Sequence, residues 1–260
     1  MTFKDYFSGH AQAYANARPG YPDALFKCLS GLCQQHRLAW DCATGNGQAA
    51  HSLAGYFANV LASDASADQL AAAKPADRIN LCVASAESVP LVANSTDLVT
   101  VAQALHWFDI DRFFSECDRV LSSAGVLAVW SYDFCQVDAA VDALTMHLYS
   151  DVLGDYWPVE RRLVETRYQG IKFPFSRLDV PQFRMRLGWQ RAQFEAYLYS
   201  WSAAQRYRRE RQADPVAIIQ PELAAAWPDG VEKKVEWPLT VIVCRKQASS
   251  AGPDRANRPS

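Results

Sequence analysis

Charge of one sign, long apolar runs and paired cysteines are all missing from this chain of 260 residues. A formal net charge of -2 leaves no basic field of the kind that phosphate-backbone binding requires, so nucleic acid is not an expected partner. The longest apolar runs fall far short of the ~20 residues that span a bilayer, so no membrane partner is expected either. The opening "MTFKDYFSGHAQAYANARPGYP" is polar and aromatic without an apolar signal core, which argues against export and for a cytoplasmic protein. The seven cysteines (Cys28, Cys33, Cys42, Cys82, Cys117, Cys135 and Cys244) are scattered and odd in number. They form no C-x-x-C pair and have no histidine at ligand spacing, so no metal site is expected, and they read as small buried thiols in a reducing compartment. No internal repeat and no linker divides the chain. Residues 247–260, small, polar and proline-bearing, read as a disordered tail.

With 50% hydrophobic and 21% charged residues, the composition is that of a soluble globular protein. After two helical segments broken by "RPGYP", a rhythm begins. "RLAWDC", "NVLASD", "INLCVAS", "TDLVTVAQAL" and "GVLAVWSY" are strand candidates. Between them, "GQAAHSLAGYF", "SADQLAAAK" and "DIDRFFSECDRVL" read as helices. Such alternation predicts βαβ units around a parallel sheet. From Val137 to Tyr168 the chain reads as helical, "RLDVPQFRMRLGW" as one strand, "QRAQFEAYLYSWS" as a helix and "VEWPLTVIVCRK" as a closing strand. Two late strands after five parallel ones predict a mixed sheet of seven.

The chemistry centres on "AWDCATGNGQAA". Its middle, from Gly45 to Ala50, satisfies the G-x-G-x-x-A turn of dinucleotide-binding folds, where glycines let backbone approach a ligand. Asp41 stands in front of that turn. A carboxylate there would repel a pyrophosphate and suit a cofactor bearing a cationic amine. Asp64 ends the second strand, placed to accept both hydroxyls of a ribose. "SAESVP" follows the third strand and "QALHWFD" the fourth, and the carboxyl ends of consecutive strands are where an open α/β sheet binds ligand.

Taken together, "YANARPGYPDALF", "WDCATGNGQAA", "ASDASADQLAAA", "ASAESVP", "DLVTVAQALHWFD", "FFSECDRVLSSAGVLAVWSY" and "YSWSA" make the chain resemble class I S-adenosylmethionine-dependent methyltransferases of the type 11 group. More narrowly, it is similar to the trans-aconitate methyltransferase-like branch. The resemblance implies a Rossmann-like α/β fold, a seven-stranded mixed sheet with helices on both faces and a helical insertion. The corresponding parts are a lid over residues 1–36, a cofactor-binding core over 37–133, an insertion above the acceptor pocket over 134–176, and a part completing the sheet over 177–246.

It also implies roles. Asp41, Ala43, Gly45 and Gly47 would form the loop around the methionine portion of S-adenosylmethionine. Asp64, followed by Ala65, would hold the ribose. Ala86 and Glu87 would lie beside the adenine, and Gln103 near the methionyl part. His106 and Trp107 would face the acceptor, with Tyr6, Phe7, Tyr14 and Arg18 in the lid. At Ala43 the family loop has a glycine, and a positive φ there would cost alanine ~1 kcal/mol or more.

Each assignment has a structural alternative. For Asp41 the alternative is a helix-capping or turn aspartate, for Asp64 the cap of the helix near Ser66, and for Glu87 an exposed loop residue. His106 is either an acid/base group or a packing residue with one hydrogen bond, and Trp107 is either pocket wall or core. "RYRRERQ" reads as a solvated helix face. One of Arg161, Arg162 and Arg167 could pair with a substrate carboxylate.

The expected function is methyl transfer to a small-molecule acceptor, a carboxylate or a hydroxyl, by in-line displacement. The alternatives are a non-catalytic cofactor-binding relative and an NAD-dependent oxidoreductase.

Overall fold

The computed structural model describes residues 20–132 and 134–247. The first helical segment expected before "RPGYP", the lid residues Tyr6, Phe7, Tyr14 and Arg18, and the tail from residue 248 lie outside the described residues.

Helix α1 (Asp23–Leu32) starts after Pro22 and buries Leu25, Phe26 and Leu29, an i, i+1, i+4 stripe that forms one apolar face. Then the strands and helices alternate: β1 (Leu38–Cys42), α2 (Gln48–Leu53), β2 (Asn59–Asp64), α3 (Ala67–Ala71), β3 (Ile79–Val83), β4 (Thr96–Ala102), α4 (Ile110–Val120) and β5 (Leu121–Tyr132). Helices α3 and α4 each begin with a side-chain cap: Ser66 accepts from the Gln69 amide, and Asp109 from the Arg112 amide.

The five strands pair in parallel in the order β3-β2-β1-β4-β5. The chain runs outward from β1 to β3 and then crosses back to place β4 on the other side of β1. That reversal opens a crevice at the carboxyl ends of β1 and β4. Side chains alternate between the faces with period two. On β5, Leu127 and Val129 join Trp40, Val99, Phe113 and Cys117 on one face. Val126, Ala128 and Trp130 join Phe26, Leu29, Leu53 and Val60 on the other. A sheet covered on both faces explains why these strands read as continuous apolar runs.

The region between β5 and the late strands is helical as expected but broken into short pieces. Helix α5 (Ala139–His147) runs into a π turn (Leu148–Val152), a 3-10 turn (Gly154–Tyr156) and α6 (Arg161–Glu165). The later elements are β6 (Ser176–Leu178), β7 (Arg184–Trp189), α7 (Arg191–Tyr199), α8 (Ser202–Arg211), α9 (Gln220–Ala226) and β8 (Lys233–Arg245).

One expectation is corrected here. "RLDVPQFRMRLGW" is two strands, β6 and β7, because Pro181 in the middle has no N–H to give a ladder. Both lie along one edge of antiparallel β8: β6 pairs with Val243–Arg245 and β7 with Lys233–Pro238. The other edge of β8 pairs with β5 and, further along, with Gln136. Eight strand segments therefore occupy seven positions, and the mixed seven-position sheet stands. A third core, with Trp189, Phe194, Tyr197, Trp227 and Trp237, fills the space between α5, α7, α9 and the β7–β8 ribbon.

Arg208, Arg209 and Arg211 on α8 are exposed, and Arg206 pairs with Glu210 at 2.7 Å, a solvated face as read from the sequence. All seven cysteines are free, five of them buried. Among the described residues no helix is long and apolar enough to cross a membrane, and no cluster of metal-ligating side chains occurs.

Candidate functional site

Between β1 and α2 the chain turns through three residues of left-handed backbone: Ala43 (φ 54°), Gly45 (φ 58°) and Gly47 (φ 84°). The turn is tied down from beneath, since the Thr44 amide donates to the Ser63 carbonyl on β2 at 2.9 Å and the Gly47 amide to the Thr44 carbonyl at 3.0 Å. A Cβ built on Gly47 would meet Ala73 and His51 at 3.6 Å, ordinary contact, so glycine is needed there for its φ and not for space. Ala43 adopts the same conformation with a Cβ in place. The departure from the family loop therefore falls on a position that does require positive φ, at a cost of ~1–2 kcal/mol.

Asp64, 9% exposed at the end of β2, faces this turn. One of its carboxylate oxygens accepts from the Gly45 amide at 2.9 Å and the other from the Ser66 amide at 2.9 Å. Ser66, not Asp64, caps α3. Ala65 beside it is exposed.

Asp41 lies deeper, 1% exposed on β1 under the turn. Thr44 Oγ1 donates to its Oδ2 at 2.5 Å, and Thr100 Oγ1 on β4 to its Oδ1 at 2.8 Å. Burial pushes its carboxyl pKa up to about 6, against the hydrogen bonds from Thr44, Thr100 and the Ala50 amide that favour the charged form. The two threonines were not singled out from sequence. Thr44 is one of the loop's variable positions, and Thr100 is brought to Asp41 only by the β1–β4 pairing.

Gln103, just past β4, also has left-handed backbone (φ 59°). Its amide N–H donates to the Trp130 carbonyl, but its side-chain Nε2 is buried with no hydrogen-bond partner among the described residues. A buried orphan donor is costly unless a ligand completes it. Ala86 is buried after β3, and Glu87 accepts from the Asp109 amide at 3.1 Å, which ties the β3 loop to the start of α4. The turn, Asp64, Ala86 and Gln103 thus converge on the carboxyl ends of four neighbouring strands. Their polar groups (backbone amides, one carboxylate that accepts hydrogen bonds, and a buried side-chain amide donor) are chemically compatible with an adenosyl cofactor bearing an amino-acid end.

On the other side of Gln103, a 3-10 turn (Leu105–Trp107) carries His106 and Trp107. The two rings lie 4.6 Å apart, and His106 Nδ1 is 3.4 Å from the Tyr168 hydroxyl, which also bonds Ser131 on β5. Burial first, and the charge of Arg161 second, push the His106 pKa down to about 3. Burial raises the Tyr168 phenol to about 12. Next to them, the Arg161 guanidinium stacks 4.5 Å from the Trp157 ring and 5.4 Å from that of Tyr149. Its Nε donates to the Tyr149 hydroxyl at 2.9 Å, and that hydroxyl donates to Glu165. Of the three arginines singled out from sequence, Arg161 is the one brought here, half-buried. Arg162 and Arg167 are exposed. Ser131 and Glu165 escaped sequence reading, because nothing local marks the first as a partner of Tyr168 or the second as a partner of Tyr149.

A family model described as a methyltransferase domain matches residues 40–129, from inside β1 to inside β5. A Dictyostelium discoideum protein assigned as a methyltransferase is 31% identical over 253 residues, covering 94% of this chain and 96% of its own length. A Saccharomyces cerevisiae protein assigned as an S-adenosylmethionine-dependent methyltransferase is 25% identical over 94% of this chain and 97% of its own. The solved structure of a protein assigned as a type II methyltransferase from Anaeromyxobacter dehalogenans superposes with a TM-score of 0.84 at 39% identity, covering 89% of this chain and 99% of that one. These relatives fix the family and not the narrower branch.

Proposed function

The chain belongs to the class I S-adenosylmethionine-dependent methyltransferases, and from that premise we propose that it moves a methyl group from S-adenosylmethionine to a small-molecule acceptor, a carboxylate or a hydroxyl. The observation that carries the cofactor half is the convergence of the left-handed turn at Ala43–Gly47, the Asp64 carboxylate and the orphaned Gln103 Nε2 on one crevice.

S-adenosylmethionine bound there supplies an electrophilic sulfonium methyl with a neutral leaving group. The protein therefore has no developing anion to stabilise at the sulfur, and its work is binding, alignment and exclusion of water. Asp64 would accept from the ribose hydroxyls while its bonds to the Gly45 and Ser66 amides hold it in place. Ala86 would flank the adenine, with Glu87 bracing the loop. Gln103 Nε2 would donate to the methionyl end, and Asp41, beneath the turn, would supply the negative charge that faces the amine. His106, Trp107 and the Arg161 cluster would bound the acceptor space. The lid role of Tyr6, Tyr14 and Arg18 rests on the resemblance alone. A reducing cytoplasm suits seven free thiols.

Calorimetry with S-adenosylhomocysteine and with NAD tests this reading. Micromolar binding of the first and none of the second is expected. NAD binding without S-adenosylhomocysteine binding would return the chain to the oxidoreductase alternative. Incubating cell extract with labelled methyl donor then identifies the acceptor. Tight cofactor binding with no labelled product from any acid, phenol or amine would instead favour a non-catalytic relative.

A further inference from the structure

The chain leaves α6 through two successive left-handed residues, Arg167 (φ 52°) and Tyr168 (φ 56°), neither of them glycine. Backbone bonds hold this path: the Arg167 amide donates to the Val164 carbonyl and the Tyr168 amide to the Leu163 carbonyl, both at 2.8 Å. Such backbone is rare outside glycine and persists where its surroundings impose it. Here it turns the Tyr168 ring fully into the core. The hydroxyl then lies between side chains of two other elements, Ser131 on β5 and His106 on the turn after β4.

The Tyr168 hydroxyl has one proton and can donate it to one of these neighbours. The lone pair of a neutral imidazole is a far stronger base than an alcohol oxygen, and a phenol is a stronger acid than a serine hydroxyl. The best donor meets the best acceptor when Tyr168 donates to His106 Nδ1, 3.4 Å away, and buried Ser131 donates to the phenol oxygen. The charge states agree. Burial raises the Tyr168 pKa to about 12, so its proton is in place. Burial, and then the charge of Arg161, lower that of His106 to about 3, so its ring is neutral at pH 7. The bond to Ser131 favours the ionised phenol, as donation to its oxygen does.

We propose that Tyr168 is a positioning residue that fixes His106 as its Nε2–H tautomer, a neutral donor on the wall of the acceptor space. That the ring faces an acceptor rests on the methyltransferase reading above; the tautomer does not. With Nδ1 accepting from Tyr168 and Nε2 protonated, the imidazole has no free lone pair with which to take a proton. His106 is then not the general base of the transfer. It donates to a lone pair of the acceptor molecule and helps to hold the attacking atom in line with the methyl carbon. The opposite chain, in which His106 donates to Tyr168 and Tyr168 to Ser131, would leave the Nε2 lone pair free and make His106 a base.

Long-range proton–nitrogen NMR of the full chain, labelled in histidine and recorded at neutral pH with and without S-adenosylhomocysteine, tells the two apart. Protonated and lone-pair imidazole nitrogens resonate far from each other, and His106→Gln identifies the His106 signals among the five histidines. The wild type should show a single tautomer with the proton on Nε2. In Tyr168→Phe, which keeps the ring, the two nitrogen shifts should move toward each other as the tautomers mix. S-adenosylhomocysteine affinity should stay within twofold, which also reports that the variant folds. Ser131→Ala removes only a donor to the phenol and should leave the tautomer as it is. A wild-type proton on Nδ1, a charged ring, unchanged His106 shifts in Tyr168→Phe, or a tautomer switch in Ser131→Ala would each overturn the proposal. A Tyr168 that merely fills the core would change stability and leave those shifts alone. Failure of the wild-type chain to bind S-adenosylhomocysteine would instead bring down the methyltransferase reading, with the tautomer still measured.

Discussion

The Thr100 hydroxyl on β4 donates across the strand boundary to the Asp41 carboxylate on β1 at 2.8 Å, so among the described residues the acid under the turn is held by two hydroxyls and a backbone amide and not by a cation. With no cation beside it among the described residues, burial dominates and pushes the carboxyl pKa up to about 6. If the cofactor's amine depends on an ionised Asp41, binding is linked to that titration. Affinity for S-adenosylhomocysteine should then rise about tenfold between pH 5 and pH 7, because at pH 5 only about a tenth of the sites are ionised. In Asp41→Asn the affinity should be weaker at pH 7 and flat over the same range. Calorimetry at the two pH values decides it, and a wild-type affinity that does not change with pH removes Asp41 from the amine's surroundings.

Ala43 is the residue at which this turn departs from its family, and it sits at φ 54°. Ala43→Gly relieves ~1–2 kcal/mol of left-handed strain while giving the unfolded chain ~0.4–1 kcal/mol more entropy. A net gain of roughly 0.5–1 kcal/mol is expected, seen as a rise of about 1–4 °C in thermal midpoint for a chain of this size. Cofactor affinity should stay within twofold, because the backbone path is already the one glycine prefers. Gly47→Ala, at φ 84°, should move the midpoint the other way.

What the sequence made legible was local or strand-terminal. The Asp41–Gly47 turn, Asp64 and Gln103 each sit at the end of an apolar strand whose period and length mark it, so their convergence follows from a parallel sheet alone. Ala43 was visible too, as the alanine in a glycine position. The arrangement around His106 was not visible, since Ser131, Arg161 and Tyr168 reach it through the packing of α6 and the end of β5. The doubling of Asp41's partners by Thr44 and Thr100 likewise depends on register. Pro181 was in plain sight within "DVPQF", but a strong alternating pattern on either side of it read as one strand.

Asp64 is expected to serve binding and structure at once. Asp64→Ala should weaken S-adenosylhomocysteine binding at least a hundredfold, through the loss of the ribose acceptor and of the Gly45 amide bond that shapes the turn. It also leaves two backbone amides without their acceptor, at a cost of about 2 kcal/mol of stability. Asp64→Asn keeps one carbonyl oxygen as acceptor and should recover most of the stability but not the affinity. Denaturant unfolding and calorimetry on the same samples separate the two, and full affinity in Asp64→Ala would refute the ribose assignment.

His106 makes the opposite prediction for stability from the one that Asp41 makes. Its pKa in the fold lies at about 3, well below the ordinary 6.5, so the unfolded chain binds the proton first. Its contribution to stability is therefore complete above pH 6.5 and is lost as pH falls toward 3, at a rate of at most about 1.4 kcal/mol per pH unit. Asp41, with a raised pKa, contributes stability below pH 4 that is lost as pH rises to about 6, so in that window the two nearly offset each other. Replacing His106 by glutamine should unmask Asp41. Relative to the wild type, His106→Gln should become progressively more stable as pH falls from 6.5 to 4, and the double variant with Asp41→Asn should return toward the wild-type slope. Unfolding free energies at four pH values check this, and parallel curves for wild type and His106→Gln would show that the imidazole is not held neutral by its surroundings.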